Sequence, residues 1–158
     1  MKIDIITDTP DKTKNIAKNV AKLILPGDII LFFGELGAGK TCFTQGIAEE
    51  LEVKEYVNSP SFTIINEYSG KMPIYHFDLF RLNNYHEFDE LGYEEYFYGK
   101  GLAIVEWSEK IVDYLPKKYL KIAITFIDMN KRKISISSKN KRYIKLIEEL
   151  KKNENIRD

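Results

Sequence analysis

Apolar and polar positions alternate through "KIDIIT" at residues 2–7 with the period of a short strand. Thr9 then stands where it caps a helix, Pro10 fits the first turn, and Ile16, Val20, Leu23 and Ile24 fall on one face. A turn at Pro26-Gly27 ends that helix. "DIILFF" (28–33) is continuously apolar, which predicts a central strand covered on both faces. From Lys40 a second helix is expected to about Glu52, with Phe43, Ile47 and Leu51 spaced by four and facing inward. The segment 56–70 reads as a loop at 57–61 and then a strand, and "MPIYHFDLF" as its partner after a turn at Gly70-Lys71. Asn84 caps a short helix through "YHEFDELGYEEYF", with Glu87 at the capping-box position and Asp89, Glu90, Glu94 and Glu95 on wet faces. "GLAIVEW" (101–107) is a second fully buried strand and ends in a carboxylate. "LKIAITFID" and "KRKISIS" form an antiparallel hairpin turned at Met129-Asn130, and a basic amphipathic helix runs from about Lys139 to Lys152.

At 158 residues the chain has room for one ordinary domain, expected over 1–158 with a polar tail, 153–158, that frays. Hydrophobic residues at 44% and charged residues at 30% suit a water-soluble globule, and 24 basic side chains against 24 acidic ones leave no net field to draw in a polyanion. Any nucleic-acid contact must therefore be local or borrowed from a partner. The basic run Lys139, Lys141, Arg142 and Lys145 on the last helix reads as a solvated face. The lone cysteine, Cys42, makes no internal disulfide, and "MKIDIITDTP" carries acids where a targeting peptide needs basic and apolar stretches. A cytoplasmic location follows as the expectation. With no apolar run near the roughly 20 residues of a membrane helix, no membrane span is expected.

The strongest chemistry lies in "GELGAGKT", residues 34–41, which fits G-x-x-x-x-G-K-S/T with Gly34, Gly39, Lys40 and Thr41. Glycines let the backbone wrap phosphate oxygens, loop and helix-start amides point at the anion, Lys40 reaches the outer phosphates, and the Thr41 hydroxyl binds magnesium. The motif sits between a strand and a helix, as that mechanism demands. The nucleotide-binding stretch thus comprises Gly34, Glu35, Leu36, Gly37, Ala38, Gly39, Lys40, Thr41 and Cys42, the last read as a small buried residue. With it goes the fold expectation: α/β, a three-layer P-loop NTPase-like fold with a mixed, mostly parallel sheet and helices on both faces.

Such a loop needs a carboxylate near the metal at the end of a neighbouring strand, and Glu106, emerging from "LAIV", qualifies. A strand-end glutamate entering solvent is the plain alternative. Trp107 on its own reads as a core plug. Asp78, in "YHFDLFR", either positions water, joins the outer shell of the metal, pairs with Arg81 or caps a turn. His76, alternating along the same strand, reads as packed or surface-exposed. No N-K-x-D tetrad is present, since Asn130-Lys131 is followed by Arg and Lys, which disfavours GTP. The arginines, among them Arg81, Arg132 and Arg142, are scattered and form no kinase-like lid.

Together "GELGAGKT", "SPSFT" (59–63), "YHFDLFRL" (75–82), "DELGYEEYF" (89–97) and "LAIVEWSE" (102–109) resemble the TsaE family, formerly YjeE, of bacterial P-loop ATPases, in the right order across roughly residues 10–127. Ser61, Cys42 and Phe80 stand where that family more often has threonine, a second hydroxyl or small residue, and tyrosine. The resemblance implies an ATPase subunit needed to place threonylcarbamoyladenosine at position 37 of tRNA, acting on a TsaB-TsaD pair and meeting tRNA only indirectly. It further implies ATP and Mg2+ as cofactors, Lys40 and Thr41 as phosphate and magnesium residues, and Glu106 as the Walker B-like acid. Asp78 becomes a catalytic or metal-shell carboxylate, Trp107 an active-site residue, and Ser59 to Thr63 a nucleotide-responsive loop. Lys131 or Arg132 as phosphate sensor is a suggestion beside ordinary hairpin solvation. A small-molecule or nucleoside kinase using Asp78 as base and a non-hydrolysing nucleotide sensor are the competing functions.

Overall fold

The computed structural model describes residues 1–34, 39–58 and 64–154. Seven strands form one sheet: β1 (Lys2–Thr7), β2 (Ile29–Gly34), β3 (Ile65–Ser69), β4 (Pro73–Asp78), β5 (Leu102–Glu106), β6 (Leu120–Phe126) and β7 (Arg132–Ser137). Their spatial order is β1-β7-β6-β2-β5-β4-β3. The four central strands β6, β2, β5 and β4 are mutually parallel. Antiparallel β7 and β3 flank them, and β1 pairs antiparallel with β7, so five of the seven strands run one way. The expected mixed α/β sheet is thus present, parallel at its centre.

Alternation along each strand assigns the two faces. Ile30 and Phe32 of β2 and Leu102 and Ile104 of β5 join the core under α1 (Pro10–Ala21), α2 (Lys40–Glu50) and α5 (Lys141–Asn153). Ile29, Leu31, Ala103 and Val105 face the other core, beneath α3 (Tyr85–Glu90), α4 (Tyr93–Phe97) and a 3-10 segment, Ser108–Tyr114. This burial on both sides is why β2 and β5 show no polar alternation. The second layer covers only β2, β5 and β4. On that side of β6, β7 and β1 the outward residues are polar or exposed, as the burial of Lys121 and Thr125, of Lys133 and Ser137, and of Lys2 and Asp4 shows.

Local chemistry sets the helix ends. The Thr9 side chain accepts from the Lys12 amide at 3.1 Å with Pro10 in the first turn, as expected. Asn84 Oδ1 accepts from the Glu87 amide at 3.1 Å, but the Glu87 carboxylate reaches the amide of Asn83, one residue earlier than a capping box requires. The single helix expected beyond Asn84 is two: Gly92 takes φ +67, a left-handed turn that ends α3 and starts α4. The 3-10 segment was not anticipated. α5 begins at Lys141, with Asn140 Oδ1 capping Arg142 N at 3.0 Å. Arg142 leaves the expected solvated stripe: its Nη2 lies 2.7 Å from Asp28 Oδ2 and donates to the Leu23 carbonyl, tying α5 to the chain before β2. The tail 155–158 lies outside the described residues. Among the described residues no helix is long and apolar enough to cross a membrane.

Candidate functional site

Three parallel strand ends and one helix start meet at a single edge of the sheet. β2 ends in Gly34, whose φ is +147 and where a Cβ would lie 2.5 Å from the Ile124 carbonyl oxygen of neighbouring β6. Only glycine lets the chain leave β2 against β6 in this way. The chain re-enters at Gly39, φ +111, which begins α2 as a glycine and so brings no side-chain cap of its own to the first-turn amides. Glu35, Leu36, Gly37 and Ala38, the middle of the expected cradle, lie outside the described residues, as do Ser59 to Thr63 of the expected responsive loop. Thr41 and Cys42 follow Lys40 in the first turn of α2. Cys42 is half-buried where a buried residue was expected; its Sγ lies 3.6 Å from the Pro10 carbonyl, and burial raises its thiol pKa, which makes it a poor nucleophile.

Lys40 is only 6% exposed. Its Nζ donates to the Gly34 carbonyl at 3.0 Å and sits 3.7 Å from the centre of the Trp107 ring. Burial lowers the lysine's pKa, opposed by the negative charges of Glu106, Glu109 and Asp78. A desolvated ammonium held by one carbonyl and one aromatic face keeps donor capacity for an incoming anion.

The acids come from adjacent parallel strands. β4 and β5 are in a register that pairs His76 with Ile104 and Asp78 with Glu106. By alternation His76, Asp78 and Glu106 all point to the side on which Ile74, Leu102 and Ile104 pack, the side of α2. Glu106 is 2% exposed and His76 wholly buried, and their Oε2 and Nε2 atoms are 3.1 Å apart. A carboxylate only accepts, so Nε2 carries the hydrogen and donates. Among the described residues His76 Nδ1 has no hydrogen-bond partner. Asp78 Oδ1 accepts from the Phe80 amide at 3.0 Å, which realises the turn-capping alternative. Burial raises the Asp78 pKa, with the charge of Glu106 adding to the effect and the Phe80 amide, His76 and Lys40 opposing it.

Trp107 completes the edge. It takes φ +62, ψ 42, the left-handed region that a non-glycine residue adopts only under constraint, and this turns the chain out of β5 into the 3-10 segment. The turn brings the indole against both Lys40 and the Phe80 ring, whose centre lies 5.0 Å from that of the indole. Lys110 Nζ lies 5.9 Å from the Phe80 ring and donates to the Leu82 carbonyl. The structure thus brings Gly34, Gly39, Lys40, Asp78, Glu106 and Trp107 to one place. Reading the sequence missed His76 as a member; its signal was the spacing of two from Asp78, which puts both on one face of β4. A pocket of about 160 Å³ also opens beside Gly39 and Cys42, bordered by Thr9, Thr13 and Arg132. Arg132 donates to the Asp128 carbonyl at 2.9 Å and packs over Phe126, while the Lys131 amide donates to Asp128 Oδ1 at 2.9 Å.

Residues 7–134 match the family model described as "Threonylcarbamoyl adenosine biosynthesis protein TsaE". The chain is 44% identical over 151 residues to the tRNA threonylcarbamoyladenosine biosynthesis protein TsaE of Bacillus subtilis, covering 95% of this chain and 94% of that protein. It is 34% identical over 118 residues to the TsaE of Treponema pallidum, covering 75% and 87%. The crystal structure of Bacillus subtilis YdiB superposes with a TM-score of 0.86 at 40% identity, over 98% of this chain and 97% of that one. The three-layer α/β architecture is therefore a P-loop NTPase-like fold shared with that structure.

Proposed function

The chain belongs to the TsaE family, and on that footing we propose that it is a magnesium-dependent ATPase subunit of the machinery that builds threonylcarbamoyladenosine into tRNA. It acts in the cytoplasm on a TsaB-TsaD type pair, with weak turnover alone. One observation carries the reading: the helix start bearing Lys40 and two acids ending adjacent parallel strands, Asp78 and Glu106, converge on one sheet face. Scattered surface charges do not converge in this way.

The residues fit a magnesium nucleotide. Among the described residues no group of three or more His, Cys, Asp and Glu is placed to hold a metal by itself. A site built from the Thr41 hydroxyl and the Glu106 carboxylate draws its remaining oxygens from phosphates and water, the habit of magnesium in nucleotide sites. Bound there, magnesium neutralises charge on the transferring phosphoryl group. Lys40 leaves the Gly34 carbonyl for the outer phosphates. Glu106, fixed through His76, holds its orientation, and Asp78, in a partly dry setting, orients water toward the outer phosphorus. Trp107 and Phe80 exclude bulk water beside Lys40. The pocket beside Gly39 and Cys42 offers room for the part of the nucleotide remote from the reaction.

The test is phosphate release from Mg-ATP with and without the partner pair. Lys40→Ala is expected to abolish binding or turnover, and Glu106→Ala to remove magnesium-dependent turnover. Wild-type turnover in the Glu106 variant refutes the metal role. Phosphate appearing on a nucleoside or metabolite acceptor, instead of in solution, assigns the site to a kinase. Nucleotide binding without release even in the assembled complex assigns it to a sensor.

A further inference from the structure

Half of one sheet face is left bare, and its charge is not that of the whole chain. At the end of the sheet remote from the Gly34 edge, a trough of about 660 Å³ runs over the open side of β1, β7 and β6. Lys2, Lys117, Lys121 and Lys139 line it. Strand pairing fixes two of them: Lys2 and Lys121 are the partners of Ser137 on its two sides, which spaces them two strands, roughly 10 Å, apart. No Asp or Glu is among the described lining residues, although acidic and basic side chains are equal in number over the chain. The nearest acid on the same strand face, Asp4, is already engaged: Ser135 Oγ donates to it at 2.6 Å, and Lys2 and Lys133 lie 3.8 and 3.9 Å from its carboxylate. The remaining polar side chains of the lining are hydroxyl and amide, from Tyr119, Ser137, Ser138 and Asn140.

This lining discriminates between classes of partner. Protein interfaces gather aromatic, Met and Arg anchors at their centre and are depleted in lysine. Here four of the nine described lining residues are lysine, no Arg is among them, and the aromatic and methionine members are one each, Tyr119 and Met1. Lysine, serine, asparagine and tyrosine side chains are instead the groups that contact phosphate and sugar without reading sequence. The geometry points to the trough as a direct binding site for an RNA backbone, used by this chain itself and separate from its nucleotide edge. The inference rests on the family's place in tRNA modification and departs from the expectation of indirect contact alone. It does not need ATP hydrolysis, because the trough shares no residue with the Lys40 site.

The experiment is fluorescence anisotropy of a labelled, unmodified tRNA transcript with the full chain at 50 and 200 mM salt. Four lysine-phosphate contacts predict a slope of log affinity against log salt of about −3. The triple variant Lys2→Glu/Lys117→Glu/Lys139→Glu is expected to bind at least tenfold more weakly. A control triple reversal of exposed lysines outside the trough, Lys54→Glu/Lys71→Glu/Lys100→Glu, is expected to lose less than threefold, and Lys40→Ala to bind RNA as wild type does. Circular dichroism confirms that each variant is folded. Absence of binding at 50 mM salt overturns the inference, as does equal loss in the trough and control variants. Displacement of the RNA by polyglutamate at equal charge concentration also overturns it, in favour of an acidic protein face. A failed Lys40 turnover test leaves these readouts untouched, so the two conclusions fail separately.

Discussion

Glu106→Ala and Glu106→Gln separate the two things the Glu106 side chain does. Its Oε2 receives the only hydrogen bond described for His76, 3.1 Å long, in a pair that is 0% and 2% exposed. Alanine leaves the imidazole buried and without a partner among the described residues, at about 1–3 kcal/mol for the stranded polar group. Loss of one buried methylene adds about 0.8 kcal/mol. Glutamine keeps the length and an accepting oxygen, so its cost is expected below about 1 kcal/mol. Urea unfolding followed by circular dichroism should therefore rank wild type and Gln close together, with Ala at least about 2 kcal/mol lower. On the proposed role of Glu106, phosphate release in the presence of the partner pair should fall by two orders of magnitude or more in both variants, because neither would supply a carboxylate to magnesium. Equal stability of the Ala and Gln variants refutes the claim that the His76 bond holds this side chain. Retained turnover in the Gln variant refutes its role at the metal.

Three further outcomes follow from the geometry. Lys14 and Lys18 of α1 lie 3.1 and 3.2 Å from Glu49 of α2, and these hydrogen bonds hold the Glu49 pKa below its ordinary 4.5. A depressed carboxylate stabilises the fold above its unfolded pKa and loses that contribution as pH falls through the folded one. Glu49→Gln should therefore cost about 0.5 kcal/mol at pH 7 in low salt, after allowance for solvent screening of this exposed pair, and nothing once pH lies below both values, by thermal unfolding across pH. Gly46 is where α1 crosses α2, since a Cβ there would meet Ala17 Cβ at 2.7 Å and the Lys14 carbonyl oxygen at 2.8 Å. Gly46→Val should destabilise by about 2–3 kcal/mol through forced separation of the helices, and an unchanged melting temperature counts against the tight crossing. Trp107 is the sole tryptophan, with an ammonium 3.7 Å from its ring, so ATP that draws Lys40 away should alter its fluorescence. That change should vanish in Lys40→Ala.

The central strands were legible because burial on both faces leaves an unbroken apolar run, as in "DIILFF" and "LAIV". The two ends of the glycine loop, Gly34 after β2 and Gly39 before α2, were legible because residue type and place between strand and helix are dictated together. Other features depend on tertiary context. "SEKIVDY" has no helical periodicity, and its 3-10 form follows from the left-handed Trp107 just before it. The break at Gly92 was hidden because the acidic and aromatic residues on both sides read as one continuous helix. A single histidine letter looks the same on a surface or in a core. His76 acquires its meaning only from Glu106, 30 positions away, once β4 and β5 are paired. The lysine trough was invisible for the same reason, since its four cations come from positions 2, 117, 121 and 139.

The abreast placement of Asp78 and Glu106 has an energetic corollary. Like charges directly across a ladder repel, and these two do so in a partly dry setting. A cation held at the Glu106 carboxylate would weaken that repulsion, so the fold should be more stable when the site is loaded. At a hundredfold excess over the dissociation constant, a ligand that favours the folded form adds about 2.7 kcal/mol, which for a chain of this size is roughly 5–10 °C of heat resistance. Occupancy of the site can thus be followed by melting alone, before any product has formed.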